Sequence, residues 1–223
     1  MERHFEKDLD ELKSTLISMG SLVDRQLEEA SEALFGGRRE LVTGVVERDM
    51  KVDAYDTSID RACQRILALS QPVAVDLRLL MAVLQINTQL ERIGDIAVNL
   101  AERTHPLLRF SSFLHSTKLE EMAQIARIMV HDSLDAFINA KAEQASRVLA
   151  SDDIVDNLGR EIFHSLVTSM RENPELIEPG SHMLILIHHI ERMADHATNI
   201  AEDVIFLVEA KMVKHNAGEE DAE

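Results

Sequence analysis

One twelve-residue segment occurs twice in the chain, and it constrains the fold more than any other feature. Glu91 to Glu102 reads ERIGDIAVNLAE, and Glu191 to Glu202 reads ERMADHATNIAE, with 7 identities in 12. Upstream, Asp49-Met-Lys-Val-Asp53 lies over Asp152-Asp-Ile-Val-Asp156, and Leu9-Asp-Glu-Leu12 over Leu119-Glu-Glu-Met122. The offset between halves falls from 110 to 103 to 100, so the first half carries seven extra residues before its Asp pair and three more before its Glu-Arg motif. Seven residues are two helical turns and leave an apolar seam on the same face. Such self-similarity marks a duplicated supersecondary unit.

The unit is helical. Phe5, Leu9, Leu12, Leu16, Met19, Val23, Leu27, Ala30 and Leu34 fall at steps of three and four, a single seam about eight turns long. Gly36-Gly37 ends it. A second helix is expected from about Arg39 to Leu69, with the seam Val52, Tyr55, Ile59, Ala62, Ile66 and Leu69, stopping before Pro72. A third runs from about Val73 past Arg103, to be kinked or ended at His105-Pro106. After a Ser-rich link near residues 111–117, three more are expected: Lys118 to Ala140, Ala142 to Arg171, and Ser181 to Lys214, with Asn173-Pro174 and Pro179-Gly180 as breakers. The expected fold is therefore all-α, two tandem three-helix bundles over 1–114 and 115–214, with a mobile acidic tail over 215–223. With only 4% aromatic residues, 8 Gly and 4 Pro, an all-β sandwich is excluded.

Charge narrows the partners. Forty Asp and Glu against 23 Lys and Arg give a net charge of -17, the opposite of a phosphate-backbone binder, so no nucleic acid is expected. The single cysteine, Cys63, forms no intrachain disulfide. The N-terminus lacks the apolar run of a signal peptide, and no stretch is apolar enough to span a bilayer, so a soluble, cytoplasmic protein is expected.

The acids are not scattered. Asp49, Asp53, Asp56 and Asp60 step by 4, 3, 4, and the last three each follow a seam residue, which puts them about 100° round the helix from the core. Glu91 follows Leu90, Asp156 follows Val155, and Glu191 follows Ile190. Each half thus offers an Asp-x-x-x-Asp pair and a Glu-x-x-x-Asp pair at the edge of a seam. If the two flanks face each other, Asp49, Asp53, Glu91 and Asp95 converge in one half, and Asp152, Asp156, Glu191 and Asp195 in the other. Such clusters must protonate or take up cations. Oxygen donors suit Mg²⁺, Mn²⁺ or iron rather than a structural zinc site. A merely solvated face needs no such recurrence, although Gly159 and Phe163 replace Asp56 and Asp60 in the second half. Asn99 and Asn199 stand where they can extend the sites by an amide. Of the neighbouring histidines, only His188 shares a face with Glu191. Glu161-Ile-Phe-His164 reads as a surface pair. No nucleophile constellation and no glycine-rich phosphate loop occur. The residues alone leave three readings open: a non-enzymatic adaptor with metal-binding carboxylates, a carboxylate-bridged metalloenzyme (oxidase or phosphohydrolase), or a metal-free helical scaffold.

At Glu91-Arg-Ile-Gly-Asp and Glu191-Arg-Met-Ala-Asp the chain resembles the PhoU family of the bacterial phosphate-specific transport system. The likeness runs from about Phe5 to Lys214 and includes the paired Glu-Arg-x-x-Asp-x-x-x-Asn motifs, the Asp-x-x-Val-Asp of the second and fifth helices, and Gln71-Pro-Val-Ala-Val-Asp-Leu-Arg-Leu-Leu80. The second motif carries Met193-Ala194 where the family often has Ile-Gly. The resemblance implies a cytoplasmic homodimer without enzymatic activity, a negative regulator of phosphate uptake and of the phosphate-starvation response. It implies two partners, the ATPase subunit of the phosphate ABC transporter and a PhoR-like sensor histidine kinase, with peripheral membrane association only through them. It also implies divalent or trivalent metal ions (iron, Mn, Mg or Zn) on the acid motifs.

Overall fold

In a computed structural model of the chain, residues 2–70 and 72–211 are described, with the side chains of residues 2–4 left aside. The elements are α1 (Glu2–Phe35), α2 (Val42–Ser70), α3 (Ala74–Glu102), α4 (Thr104–Leu107), α5 (Ser111–His115), α6 (Leu119–Asn139), α7 (Ala142–Glu172) and α8 (Ile177–Glu209). Single 3-10 turns at Arg39–Leu41, Leu108–Phe110 and Pro174–Leu176 link them, and no strand occurs among the described residues. Six of the helices are long, three in each half.

The seams account for the packing. Every α1 seam residue from Leu9 to Leu34 is buried, as are Val45, Val52, Ile59, Cys63 and Ile66 of α2. Each fully buried Leu, Ile, Val or Met contributes about 1.5–3 kcal/mol against exposure. Helices α1, α2 and α3 pack on one another, and α6, α7 and α8 do the same. The two bundles meet where α3 lies along α8 and α1 along α6.

Several ends differ from the sequence expectation, for local reasons. Leu69 was expected in the α2 seam but is 75% exposed, because the buried face at this end of α2 runs through Cys63 and Ile66 with Leu67 half-buried beside them, which leaves Leu69 on the solvent side. Helix α3 ends at Glu102, before His105-Pro106, and Pro106 lies inside the short α4. Likewise Pro179-Gly180 does not break the chain. Pro179 is the third residue of α8, where no backbone N–H has an acceptor within the helix to lose. At Gly180 a Cβ would stand 2.6 Å from the Met170 sulfur, so the missing side chain lets α8 approach α7. The link near residues 111–117 holds α5. Helix α8 closes at Glu209 with Ala210 in the left-handed region (φ 56), earlier than the expected Lys214. Met212 onward, the acidic tail included, lies outside the described residues.

Candidate carboxylate sites

In the first bundle, Val52 and Ile59 anchor α2 in the core, and Leu90 and Ile93 anchor α3, all fully buried. That anchoring turns the acidic flanks of the two helices toward each other. The rods approach closely at Gly94, where a Cβ would stand 3.2 Å from Asp49 Oδ1 and 3.3 Å from Val52 Cγ1. Asp49, Asp56 and Glu91 are half-buried at this seam, while Asp53 and Asp95 are exposed at its rim.

Electrostatics show the convergence. Burial pushes the Asp49 carboxyl above the usual carboxylate range, against a hydrogen bond from Gln26, and the charges of Asp95 and Asp53 push it further. Burial likewise raises Glu91, with Asp95, Asp56 and Asp53 adding to it. Asp56 is raised by burial and by Asp60 and Asp53, against a hydrogen bond from Asn87. Asp49, Asp53, Glu91 and Asp95, drawn from two helices, thus act on one another. Arg92 opposes them only in part at Glu91, and Arg48 is held by Glu29 at 2.7 Å.

Two amides complete the site, and neither was expected from the sequence. Gln26 of α1, fully buried, donates from Nε2 to Asp49 Oδ1 (3.0 Å) and to the Gly94 carbonyl (3.3 Å). Asn87 of α3, also fully buried, donates from Nδ2 to Asp56 Oδ1 (2.7 Å) and Asp60 Oδ1 (3.3 Å). Asn87 had a signal: Asn87, Glu91, Asp95 and Asn99 form one row at steps of four. Asn99 itself turns back to the Asp95 carbonyl at 2.8 Å.

The second bundle repeats the plan with fewer donors. Asp156 of α7 and Glu191 and Asp195 of α8 line a shallow groove of about 530 Å³ together with Arg160, His188 and Arg192. Burial raises the Glu191 carboxyl, Asp156 and Asp195 add to it, and His188 opposes them. Asp152, one turn before Asp156, does not line this groove. Asn199 leaves the site and donates to Gln89 Oε1 of α3 at 3.3 Å, because its face of α8 packs on the other bundle.

The remaining candidates fall away. His196 is buried against Gln89, Nδ1 to Oε1 at 2.8 Å, and burial with Arg192 and Arg92 lowers its pKa to about 4. Glu161 pairs with Lys118 at 2.9 Å, and His164 packs edge-on against Phe163. Cys63 is buried, and that burial with Asp60 pushes its thiol up to about 12, so it is no nucleophile.

As the side chains lie, no three Asp, Glu, His or Cys among the described residues form a closed cation cage. The donor chemistry nonetheless fits a hard cation. The acids are crowded, partly desolvated and mutually repelling, and an ion between the helices would relieve all three conditions at once. It requires the rim carboxylates Asp53 and Asp95 to turn inward.

Comparison with known proteins gives these sites a setting. The family model for the PhoU domain matches the chain twice, over residues 16–104 and 119–204. Among curated relatives, the phosphate-specific transport system accessory protein PhoU of Serratia marcescens is 35% identical over 218 residues, covering 96% of this chain and 88% of that one. The PhoU homolog of Aquifex aeolicus is 37% identical over 209 residues, with 94% and 95% covered. Among solved structures, PhoU from Pseudomonas aeruginosa superposes with a TM-score of 0.87 at 34% identity, covering 93% of this chain and 100% of that one. The phosphate transport system regulatory protein PhoU from Streptococcus pneumoniae gives 0.84 at 26%, with 94% and 99% covered.

Proposed function

The chain belongs to the PhoU family of phosphate-transport accessory and regulatory proteins, and from that membership we propose that it restrains phosphate uptake and the phosphate-starvation response as an adaptor. Its partners in this reading are the ATPase subunit of the phosphate ABC transporter and a PhoR-like sensor histidine kinase, met in the cytoplasm by a homodimer. The observation that carries the reading is the match through both repeats to proteins named for accessory and regulatory roles rather than for enzymes. That naming disfavours the metalloenzyme alternative. No described helix is long and apolar enough to cross a membrane, so membrane contact comes through the partners. A net charge of -17 favours basic docking surfaces on them.

Metal ions at the two carboxylate clusters belong to the same proposal. Asp49, Asp53, Glu91 and Asp95 would hold one set, and Asp152, Asp156, Glu191 and Asp195 the other. A bound cation supplies positive charge that cancels the repulsion and cross-links α2 to α3, or α7 to α8. The carboxyl of Glu91, raised first by burial and then by acids on both α2 and α3, supports this assignment.

The test is a pull-down by the full chain of the cognate ATPase subunit and of the kinase's cytoplasmic part, with Mn²⁺ or with chelator. The expected result is capture of both partners, more strongly with Mn²⁺. Capture of neither, under either condition and with or without phosphate, contradicts the adaptor role.

A further inference from the structure

The two clusters are not equivalent, and the main difference lies on the first helix of each bundle. In the first bundle α1 sends Gln26 between α2 and α3. Its Nε2 bridges Asp49 Oδ1 and the Gly94 carbonyl, and its Oε1 is buried with no hydrogen-bond partner. A fully buried amide with one half used and the other half unmet is destabilising, a cost a helix seam avoids by carrying an apolar residue. At the matching position of α6 the chain does so: Ala136 is buried there and has no side-chain donor. The approach of α2 to α3 is shaped by the same arrangement, because the absent Cβ of Gly94 leaves the space that Asp49 Oδ1 occupies at 3.2 Å. In the second bundle Ala194 stands in place of Gly94.

We propose that Gln26 is a positioning residue for the first carboxylate cluster: it presents Asp49 to a cation, so that the first cluster binds a divalent ion more tightly than the second. This rests on the metal-binding reading above. It goes beyond that reading by assigning a role to a residue outside the acid motifs and by ranking the two sites. Because Gln26 belongs to α1, and α1 packs on α6, the cation at the first cluster is also tied to the helix that joins the bundles.

The experiment is Mn²⁺ titration of the full chain, read from the electron paramagnetic resonance signal of free Mn²⁺. It is run in an Asp195→Ala background to isolate the first cluster and in an Asp95→Ala background to isolate the second. Two changes are made in each background. Gln26→Met keeps the size of the side chain and removes the donor. Gly94→Ala leaves Gln26 and every acid in place but sets a Cβ against Asp49. Melting in chelator verifies that each variant folds, and if Gln26→Met does not, Gln26→Ala, which copies Ala136 of α6, takes its place. The expected result is tighter Mn²⁺ binding at the first cluster than at the second, weakened about tenfold or more by either change, with the second cluster unaffected. Unchanged first-cluster affinity in the folded variants overturns the role of Gln26 while leaving the metal reading intact, as does equal weakening in both backgrounds. An unsubstituted chain that binds no Mn²⁺ overturns both.

Discussion

Gly159 of α7 makes room for the carboxylate of Glu191 on α8: a Cβ at position 159 would stand 2.5 Å from Glu191 Oε1. In the first bundle the matching position is Asp56 and the matching carboxylate Glu91, and there the two acids repel. The loss of one acid from the second cluster is thus also a packing change, with Glu191 filling the space that Asp56 occupies in the other half. Gly159→Ala is expected to displace Glu191 and press on Met122, whose Cε would be 3.2 Å away. Overpacking of this kind costs about 1–3 kcal/mol. Chemical denaturation measures that loss, and Mn²⁺ titration measures the accompanying weakening of the second cluster.

Cations and pH act on one quantity, the repulsion among the acids. Asp49, Asp56, Glu91 and Glu191 all have carboxyls raised by burial and neighbouring charge. Groups raised in the folded state bind protons more readily there than in the unfolded chain. The metal-free protein therefore loses stability as pH climbs from the ordinary carboxyl range through the raised values. Mn²⁺ at about a hundred times its Kd is expected to restore on the order of 2–3 kcal/mol at neutral pH and nothing near pH 4. Melting curves with Mn²⁺ and with chelator at the two pH values check this.

Asp203 isolates the same effect away from the clusters. Burial, with Glu202 adding, raises it from 3.8 to about 7. The folded protein then carries a penalty that grows as pH rises from about 4 and is complete above 7. Asp203→Asn is expected to stabilise the protein at pH 8 by on the order of 2 kcal/mol after allowance for partial exposure, and to do little at pH 4. Urea denaturation at the two pH values is the measurement.

His196 works in the opposite direction. Burial against Gln89 at the junction of α3 and α8 keeps its imidazole neutral, with a pKa lowered to about 4. Its contribution is fully present above pH 6.5 and is lost as pH falls toward 4, at about 2 kcal/mol by pH 5. His196→Gln, which cannot take up a proton there, is expected to flatten the fall of melting temperature between pH 7 and pH 5. An unchanged slope means that the junction does not respond to this ring.

Much of this architecture could be read from periodicity. The α1 seam, from Leu9 to Leu34, is buried residue by residue, because a long run of threes and fours admits only one buried face. The convergence of Glu91 with Asp53, Asp56 and Asp95 followed from each acid sitting one position from an anchored core residue, or one turn beyond such an acid. Helix ends were less legible. A proline or glycine within the first turn costs a helix little, so Pro179-Gly180 signals a break in the sequence and none in the fold. Leu69 matched the period, yet the buried face at that end of α2 runs through Cys63 and Ile66 and leaves it outside. Gln26 was hidden for a different reason. It occupies a buried position on an apolar seam, and nothing in α1 itself reveals that Asp49, 23 residues away, lies opposite.

Metal content tests the central claim most directly. The protein is purified without chelator, and bound iron, manganese, magnesium and zinc are quantified for the unsubstituted chain and for an Asp95→Ala, Asp195→Ala double variant. The expected result is stoichiometric metal in the first and its loss from the second, with both folded. Trace metal that is equal in the two proteins would contradict the claim and leave the facing carboxylates as solvated edges of two helical bundles.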